Sequence, residues 1–429
     1  MKFRKATPVV LAAALALTSA ACGGGGGGGG GGSAQPAGDG KSFEFWSFSG
    51  INQKRTVEDY RKVSPGVQVK LTEVGGSTET AQALTTALAG GKVPDLVLIQ
   101  GDDLPKFVQQ PQNFQDLRQY GADKIKSDYL DWVISQSTAK TGEIIGIPTD
   151  VGGMAVAYRT DLFKQAGLPT DRDEVSKLWP TWDAFIESGK KYTAATGKAF
   201  VDNAATSVFY QAVNQGPQKY YDPSGNVVYA TSPQVRTAFD LAIKAAQAGI
   251  TAKQSSFEDG WSAGMGKGDY AVISAPSWLL EQIRNNAPGT KGKWDIATIP
   301  GGSGNWGGSY LAIPKGAANP KAAWDYISKM QSPQGQLDHF VDVGALPTTP
   351  SVYQDPKLTG RKDPFFSDAP IGKIYTDSLL GLKPFLIGPD SAAIGQEFLN
   401  AITNVEQGKG DPAKAWDSAL ANIKTAIGK

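Results

Sequence analysis

Three tryptophans stand at the ends of apolar runs, beside small or turn-forming residues. Trp46 is followed by serines at positions 47 and 49, Trp278 follows Pro276 and Ser277, and Trp306 precedes paired glycines. Residues at element ends are commonly exposed and available for binding. A tryptophan ring there offers a large flat apolar face. We therefore predict that these three side chains face a cleft.

Polar side chains that could complete such a site follow other apolar runs. Gln100 and Asp102 come directly after the run 96–99, and Asp150 lies in the break Pro-Thr-Asp-Val-Gly-Gly at 148–153. Flat aromatic faces with carboxylates and amides at their rim suit a sugar, which has apolar C–H faces and many hydroxyls. Two alternatives stay open: Asp150 could instead cap a turn, and Trp261 could lie either in the core or in the cleft.

Residues for catalysis or metal binding are scarce. His339 is the only histidine and Cys22 the only cysteine, so catalytic triads and zinc clusters lack parts. The glycine-rich stretch around Lys267 lacks the Ser or Thr that follows the lysine of a phosphate-binding loop. We predict no cofactor, no metal and no enzyme activity. A carboxylate pair for glycoside hydrolysis stays open, because its separation is spatial.

Composition and charge bound the class of partner. The chain has 429 residues, of which 40% are hydrophobic, enough for two or three globular domains. Its 42 Lys and Arg against 41 Asp and Glu give a formal charge of +1. Such a balance gives no electrostatic reason to expect nucleic acid as a partner.

The N-terminal segment predicts export. Lys2, Arg4 and Lys5 precede an alanine-rich apolar stretch at 6–21 that is too short to span a bilayer. The residues before Cys22 resemble a bacterial lipobox, with Ser19 in place of the usual leucine. We predict a signal peptide at 1–22, lipidation of Cys22, a glycine-rich tether at 23–41 and an extracytoplasmic location with membrane contact through the lipid alone.

The mature chain begins as an alternation of strands and helices. Strand patterns at 43–48, 67–74 and 96–99 alternate with helix patterns at 52–63 and 78–88, which predicts a parallel α/β sheet. Ligands bind beyond the carboxyl ends of such strands. Breaks at 148–153, 300–308 and 344–347 are candidate crossings between two lobes. In the first break, proline and paired glycines are expected to supply backbone angles that regular elements forbid.

Seven motifs follow one another along the chain: FEFWSFSG, GGKVPDLVLI, IPTDVGGMAVAYRTDLFKQAGLP, PTWDAF, GKGDYAVISAPSW, WGGSYLAIPKGAANPKAAWDYISKM and GALPTTPSVY. In this order they resemble the extracellular solute-binding proteins of family 1, the sugar receptors of ABC importers of the maltose-binding type. The resemblance implies a two-lobed, type II periplasmic-binding-protein fold with three hinge crossings. It implies an N-terminal lobe of 42–148 with 309–346 and a C-terminal lobe of 149–308 with 347–429.

The resemblance also extends the candidate site. It implies sugar stacking on Trp278, contacts near Trp46 and the serines after it, and contacts from a region that includes Phe209 and Tyr210. The complete set of predicted ligand-binding residues is Trp46, Ser47, Ser49, Gln100, Asp102, Asp150, Phe209, Tyr210, Trp261, Trp278, Trp306, Gly307 and Gly308.

These expectations combine into one function. We predict a monomeric, lipid-anchored receptor that captures a mono- or oligosaccharide and delivers it to ABC permease subunits. Two alternatives are a receptor of the same fold for a polyamine or a glycerol phosphodiester, and a surface-anchored glycoside hydrolase. A phosphodiester needs Arg or Lys in the cleft, whereas a polyamine needs several carboxylates.

Overall fold

A computed structural model describes residues 40–428 of the chain. The predicted signal peptide, Cys22 and nearly all of the predicted tether lie outside the described residues. The strands are, in chain order, β1 (Ser42–Ser47), β2 (Gln68–Glu73), β3 (Leu96–Gln100), β4 (Gly146–Pro148), β5 (Met154–Arg159), β6 (Ala199–Val201), β7 (Tyr270–Pro276), β8 (Trp294–Thr298) and β9 (Ser309–Ala312).

The α-helices connect and cover these strands. They are α1 (Gln53–Val63), α2 (Ser77–Gly90), α3 (Leu104–Val108), α4 (Ala122–Ile125), α5 (Asp131–Gln136), α6 (Thr160–Gln165), α7 (Arg172–Leu178), α8 (Trp182–Thr196), α9 (Gln211–Val213), α10 (Pro233–Gln247), α11 (Asp259–Lys267), α12 (Leu279–Asn286), α13 (Pro320–Met330), α14 (Pro333–Val343), α15 (Pro356–Thr359), α16 (Ile371–Leu380), α17 (Ser391–Glu406) and α18 (Ala415–Ala426). A π-helix spans Ala205–Tyr210, and short 3₁₀ turns lie at Pro111–Asn113, Leu117–Tyr120, Lys126–Asp128, Pro288–Thr290, Pro350–Val352 and Pro364–Phe366.

The first sheet has the strand order β2-β1-β3-β9-β4. Strand β1 pairs in parallel with β2 and β3, which confirms the predicted parallel arrangement, and β9 runs antiparallel between β3 and β4. Alternate residues of β1 are buried because successive side chains point to opposite faces. Phe43 and Phe45 pack on Tyr326 of α13, with ring centroids 5.8 and 5.5 Å apart, and this contact anchors α13 to the sheet.

The second sheet has the order β6-β7-β5-β8. Every residue of the two central strands, β5 and β7, is buried. Strands covered on both faces have continuous apolar runs rather than alternation, and the sequences MAVAYR and YAVISAP have this character. The helices and loops on either side complete a second core that includes Trp179, Phe185 and Phe200.

The chain passes between the two sheets three times. It leaves the first sheet after β4, returns to it at β9, and leaves again after α14, since α16 packs against β5 and β8. The crossings lie side by side: Trp306 donates its backbone N–H to Gly152 (2.8 Å), and Val151 donates to Leu346 (3.0 Å). The predicted two-lobed α/β fold with three hinge crossings is therefore confirmed. The residue limits of the two lobes stay a prediction, with which the strand memberships are compatible.

The first crossing needs its two glycines because they have no side chain, and not because of their backbone angles. Gly152 and Gly153 are not among the residues of the described chain with positive φ. A Cβ added to Gly152 would lie 1.7 Å from the carbonyl oxygen of Trp306, and one on Gly153 would lie 2.6 Å from that of Tyr375. The expectation about special backbone angles was wrong here, because these positions need glycine for close approach of neighbouring backbone.

A helix must be both long and apolar to span a membrane. Between residues 40 and 428, no helix combines the length and the apolar character that crossing a bilayer requires.

Candidate ligand-binding cleft

A cavity of about 630 Å³ lies at the level of the hinge crossings. Its walls come from the loop after β1 and the start of α2 on one side, and from α12 and the turn before α11 on the other. Asp150 and Trp306 to Ser309 belong to two of the crossings and also line it. The volume lies within the range of small-molecule sites. The cavity therefore lies where ligands bind in this class of fold, beyond the strand ends.

Aromatic rings form one wall of the cavity. Trp278 donates its indole Nε1–H to the backbone oxygen of Trp306 at 3.0 Å, and the two rings meet edge to face with centroids 5.6 Å apart. Phe257 lies beside them, with its ring centroid 6.3 Å from that of Trp306. The hydrogen bond fixes the orientation of the Trp278 ring, so its face is pre-organised for a ligand.

Asp150 brings an acceptor to the same space. Its carboxylate accepts a hydrogen bond from the Thr149 hydroxyl at 2.7 Å, and burial raises its pKa to about 6. Strand β5 rather than a helix follows this crossing, so Asp150 does not cap a helix. The aspartate is half-buried without an ion-pair partner shown for it among the described residues. Asp150 also lines the cavity, so the remaining lone pairs of its carboxylate can accept hydrogen bonds from the hydroxyls of a ligand.

The raised pKa of Asp150 predicts a pH-dependent stability effect. Its folded-state pKa of about 6 lies above the ordinary value of about 3.9. Between these values the native state binds more protons than the unfolded state, so the carboxyl lowers stability progressively as pH rises, up to about 6. We expect Asp150→Asn, which keeps an acceptor oxygen for Thr149, to raise Tm relative to wild type at pH 7.5 but not at pH 4.5.

The measurement for Asp150→Asn is thermal unfolding across pH 4 to 8. If the Tm difference between Asp150→Asn and wild type does not change with pH, burial does not raise the pKa of Asp150.

The remaining lining is rich in amides and poor in cations. No Lys or Arg side chain of residues 40–428 lines the cavity. Besides Asp150, the lining carboxylates are Glu79, which is exposed, and Glu281, which pairs with Arg284 at 2.7 Å. The amide side chains on the lining are Asn52, Gln53, Gln100, Gln282, Asn285, Asn286 and Gln331. Each amide both donates and accepts, so the cavity is suited to neutral hydroxylated ligands.

The sole histidine also borders this cavity. His339 of α14 has its Nδ1 3.4 Å from the Thr56 hydroxyl, and burial lowers its pKa to about 4. It is therefore neutral at physiological pH. Within residues 40–428, no group of His, Cys, Asp and Glu is arranged to hold a metal ion.

Eight of the predicted site residues line the cavity. They are Ser49, Gln100, Asp150, Trp261, Trp278, Trp306, Gly307 and Gly308. Gly307 and Gly308 have φ values of +92° and +107°, and a Cβ on Gly308 would lie 2.9 Å from the backbone carbonyl oxygen of Asp150. Their backbone therefore forms part of the floor next to Asp150. Whether these eight residues contact a ligand stays a prediction.

Trp261 borders the cavity only from behind. Its side chain is 1% exposed, and its indole Nε1–H donates to the Asp202 carboxylate at 2.8 Å. The Phe257 ring lies 5.2 Å from it. Of the two alternatives for Trp261, the core position is the one the structure shows.

Trp46, Ser47 and Phe209 do not line the cavity, which corrects their predicted placement. In β1, Trp46 points to the same face as Glu44, and its indole donates to that carboxylate at 3.2 Å. Ser47 is fully buried and donates to the Phe48 oxygen at 3.0 Å. Phe209 is fully buried and packs on Phe398, with centroids 5.5 Å apart. The alternation of β1 and the apolar surroundings of Phe209 turn these side chains away from the cavity.

Asp102 and Tyr210 meet in a smaller space next to the main cavity, also reached by Gln100 and Asp150. The Tyr210 hydroxyl donates to Asp102 Oδ2 at 2.6 Å, and Lys219 Nζ lies 3.8 Å from Asp102 Oδ1. Lys219 is buried, with its ammonium 4.9 Å from the centre of the Tyr210 ring. Asp102 follows β3 of the first sheet, whereas Tyr210 and Lys219 belong to the second lobe. We call this contact the Asp102 bridge. It uses the carboxylate predicted for a ligand to join the lobes.

The sequence prediction missed two groups of lining residues. Phe257 was not singled out, because a lone phenylalanine in a polar turn has no periodic signal. Gln282, Asn285 and Asn286 of α12 also line the cavity. They are spaced i, i+3 and i+4 and therefore share one helix face. This polar stripe directly after Trp278 was a detectable signal.

Residues 55–366 match the family described as bacterial extracellular solute-binding protein. The lactose-binding protein of Rhizobium radiobacter is 26% identical over 359 residues, which cover 78% of this chain and 80% of that protein. The arabinooligosaccharide-binding protein of Halalkalibacterium halodurans is 24% identical over 408 residues, 89% of this chain and 88% of that protein.

A solved structure is similar over almost the same length. It is the crystal structure of an extracellular solute-binding protein of family 1, with a TM-score of 0.77 and 33% identity. The similarity covers 90% of this chain and 99% of that one. Both lobes of the described chain thus have counterparts in a single known architecture.

Proposed function

The chain belongs to the bacterial extracellular solute-binding proteins, and we propose from that premise that it captures a mono- or oligosaccharide between its lobes for an ABC importer. The members of this family are binding proteins, by the family's own description. The proposal therefore concerns the class of solute, the partner and the anchor.

One observation carries the sugar assignment: the composition of the cavity lining. Trp278 and Phe257 offer ring faces beside the buried Trp306, amides offer paired donors and acceptors, and no Lys or Arg of the described residues lines the space. Sugars need this combination, because their C–H faces pack on rings and their hydroxyls need both donors and acceptors. The names of two relatives, a lactose-binding and an arabinooligosaccharide-binding protein, support the same class of ligand.

The lining argues against the alternative solutes. A glycerol phosphodiester would need a cationic side chain to balance its phosphate, and the lining of the described residues contains none. A polyamine would need several unpaired carboxylates around it, but Glu281 is already paired with Arg284 and Glu79 is exposed. A neutral hydroxylated ligand brings no charge that the lining would have to balance, and its hydroxyls can donate to Asp150.

The remaining parts of the proposal concern location and partners. Membership of the family supports an extracytoplasmic location. We propose that the lipid on Cys22 is the membrane anchor, that the protein acts as a monomer without a cofactor, and that permease subunits recognise its ligand-bound form. Binding would shift a hinge equilibrium toward the closed form, since only that form lets both lobes contact one ligand.

The proposal is tested by thermal unfolding with a panel of solutes, followed by calorimetry. We expect lactose, arabinotriose or another neutral saccharide to raise Tm, since a ligand at 100 times its Kd stabilises by about 2.7 kcal/mol. Glycerol 3-phosphate and spermidine serve as controls for the alternative solutes. Stabilisation by a control but by no saccharide would contradict the sugar assignment. Conversion of a saccharide to products, measured by chromatography, would contradict a purely binding role.

A further inference from the structure

Phe257 is a large apolar side chain that is 55% exposed on the lining of the cavity. It lies in the turn directly before α11. An exposed aromatic ring on the wall of a concave site is available to pack against a ligand. Its position at the cavity therefore points to a ligand.

The backbone of Phe257 has a conformation that is strained for a bulky residue. Its φ of +73° lies in the left-handed region, which is unusual for a bulky residue. The preceding Ser256 ties the turn down: its hydroxyl lies 2.6 Å from that of Thr206 and accepts from the Asn203 amide at 3.2 Å. Strained residues that are held by their surroundings concentrate at binding sites. These hydrogen bonds hold the turn that carries Phe257.

The ring of Phe257 is oriented like that of Trp278. The two planes differ by 18°, and their centroids are 6.4 Å apart. Trp278 is fixed by its bond to the Trp306 oxygen, and Phe257 is supported from behind by Trp261, whose centroid is 5.2 Å away. Two nearly parallel, separately supported faces can be contacted by two consecutive rings of one ligand.

We infer that Phe257 supplies a second ring-binding face, so that the cleft selects saccharides of at least two rings. Trp278 contacts one ring and Phe257 contacts the next, while Asp150 and the amides bind the hydroxyls. The cavity of about 630 Å³ leaves space for both rings. A monosaccharide on Trp278 would leave Phe257 in water. This inference rests on the proposed function and narrows it to chain length.

The test compares matched saccharides on matched variants by calorimetry. The pairs are lactose with galactose and arabinotriose with arabinose. We expect wild type to bind the longer member of a pair more tightly, and Phe257→Ala to weaken that member about tenfold while leaving the monosaccharide unchanged. Phe257→Tyr keeps the ring face and should retain the affinity. Val63→Ala, at a 60% exposed apolar residue ending α1, is the surface control.

Each outcome separates the inference from the proposed function. If the longer saccharides bind Phe257→Ala as well as wild type, or if both members of a pair weaken equally, the inference is overturned and the sugar receptor stands. Equal affinity of wild type for mono- and disaccharide has the same meaning. A fall in Tm of Phe257→Ala by more than a few degrees would show a structural role and also overturn it. If wild type binds no saccharide, the proposed function fails and this inference with it.

Discussion

Replacing Gly152 with Ala should destabilise the protein by about 3 kcal/mol or more. The added Cβ would lie 1.7 Å from the carbonyl oxygen of Trp306 and 2.5 Å from its carbonyl carbon. Both are backbone atoms of a second hinge crossing, and the backbone N–H of the same Trp306 donates to the Gly152 oxygen at 2.8 Å. Because no flexible side chain can move aside, the two crossings must separate. Denaturant unfolding of the purified variant measures the loss.

A second glycine gives the control for this prediction. Gly90 ends α2, has no positive φ, and would place a Cβ with no atom within 4 Å. Gly90→Ala should therefore leave stability unchanged or slightly raise it, since Ala favours helix over Gly. If Gly152→Ala unfolds at the same denaturant concentration as wild type, the close approach of the crossings is not a feature of the folded protein.

Trp278→Ala should reduce saccharide affinity by about 30-fold or more, the loss typical of a central aromatic contact worth 2 kcal/mol or more. The variant removes the ring face on the cavity and also the bond that fixes this ring to Trp306. Calorimetry with the best saccharide from the panel measures the change. Trp278→Phe keeps an aromatic face without the indole N–H, so its affinity should lie between those of wild type and Trp278→Ala.

Trp416 separates loss of binding from loss of folding. Its ring packs on Phe398 and Phe239, with centroids 5.4 and 5.2 Å away, far from the cavity lining. Trp416→Ala should lower Tm more than Trp278→Ala does, while its saccharide affinity stays at the wild-type value. Equal affinities for wild type and Trp278→Ala would remove Trp278 from the site.

Local pattern was enough to place the regular elements. The strand predicted at 43–48 lies within one residue of β1 (Ser42–Ser47), and the helix predicted at 52–63 lies within one residue of α1 (Gln53–Val63). Thr181 caps α8 by accepting from the Ala184 N–H, as its residue type suggests. These signals depend on neighbours in sequence. Period-two alternation, a 3.6-residue repeat and capping chemistry are all local.

The errors at the site have a different origin. The alternation of β1 already puts Trp46 on the face of Glu44 and not on that of Phe43 and Phe45, yet its neighbours at the strand end outweighed this pattern. Asp102 was identified as a polar residue at a strand end, but its partners Tyr210 and Lys219 are more than 100 positions away. The position of the Phe257 ring depends on a positive φ, which the neighbouring residues in the sequence do not predict. The placements of Asp102 and Phe257 therefore depend on distant or conformational information, whereas the local alternation of β1 was sufficient for Trp46.

The Asp102 bridge has a kinetic consequence. A rotation that separates the sheets must break the 2.6 Å bond between Tyr210 and Asp102, and also the 2.8 Å bond from Gln282 Nε2 to the Gly50 oxygen. Both bonds join protein to protein, so they contribute the same barrier whatever solute is inside. The release rates of different saccharides should then share one barrier, the breaking of these bonds. Each saccharide adds to that barrier according to its own affinity. The time for which a saccharide stays bound is therefore set partly by contacts within the receptor itself.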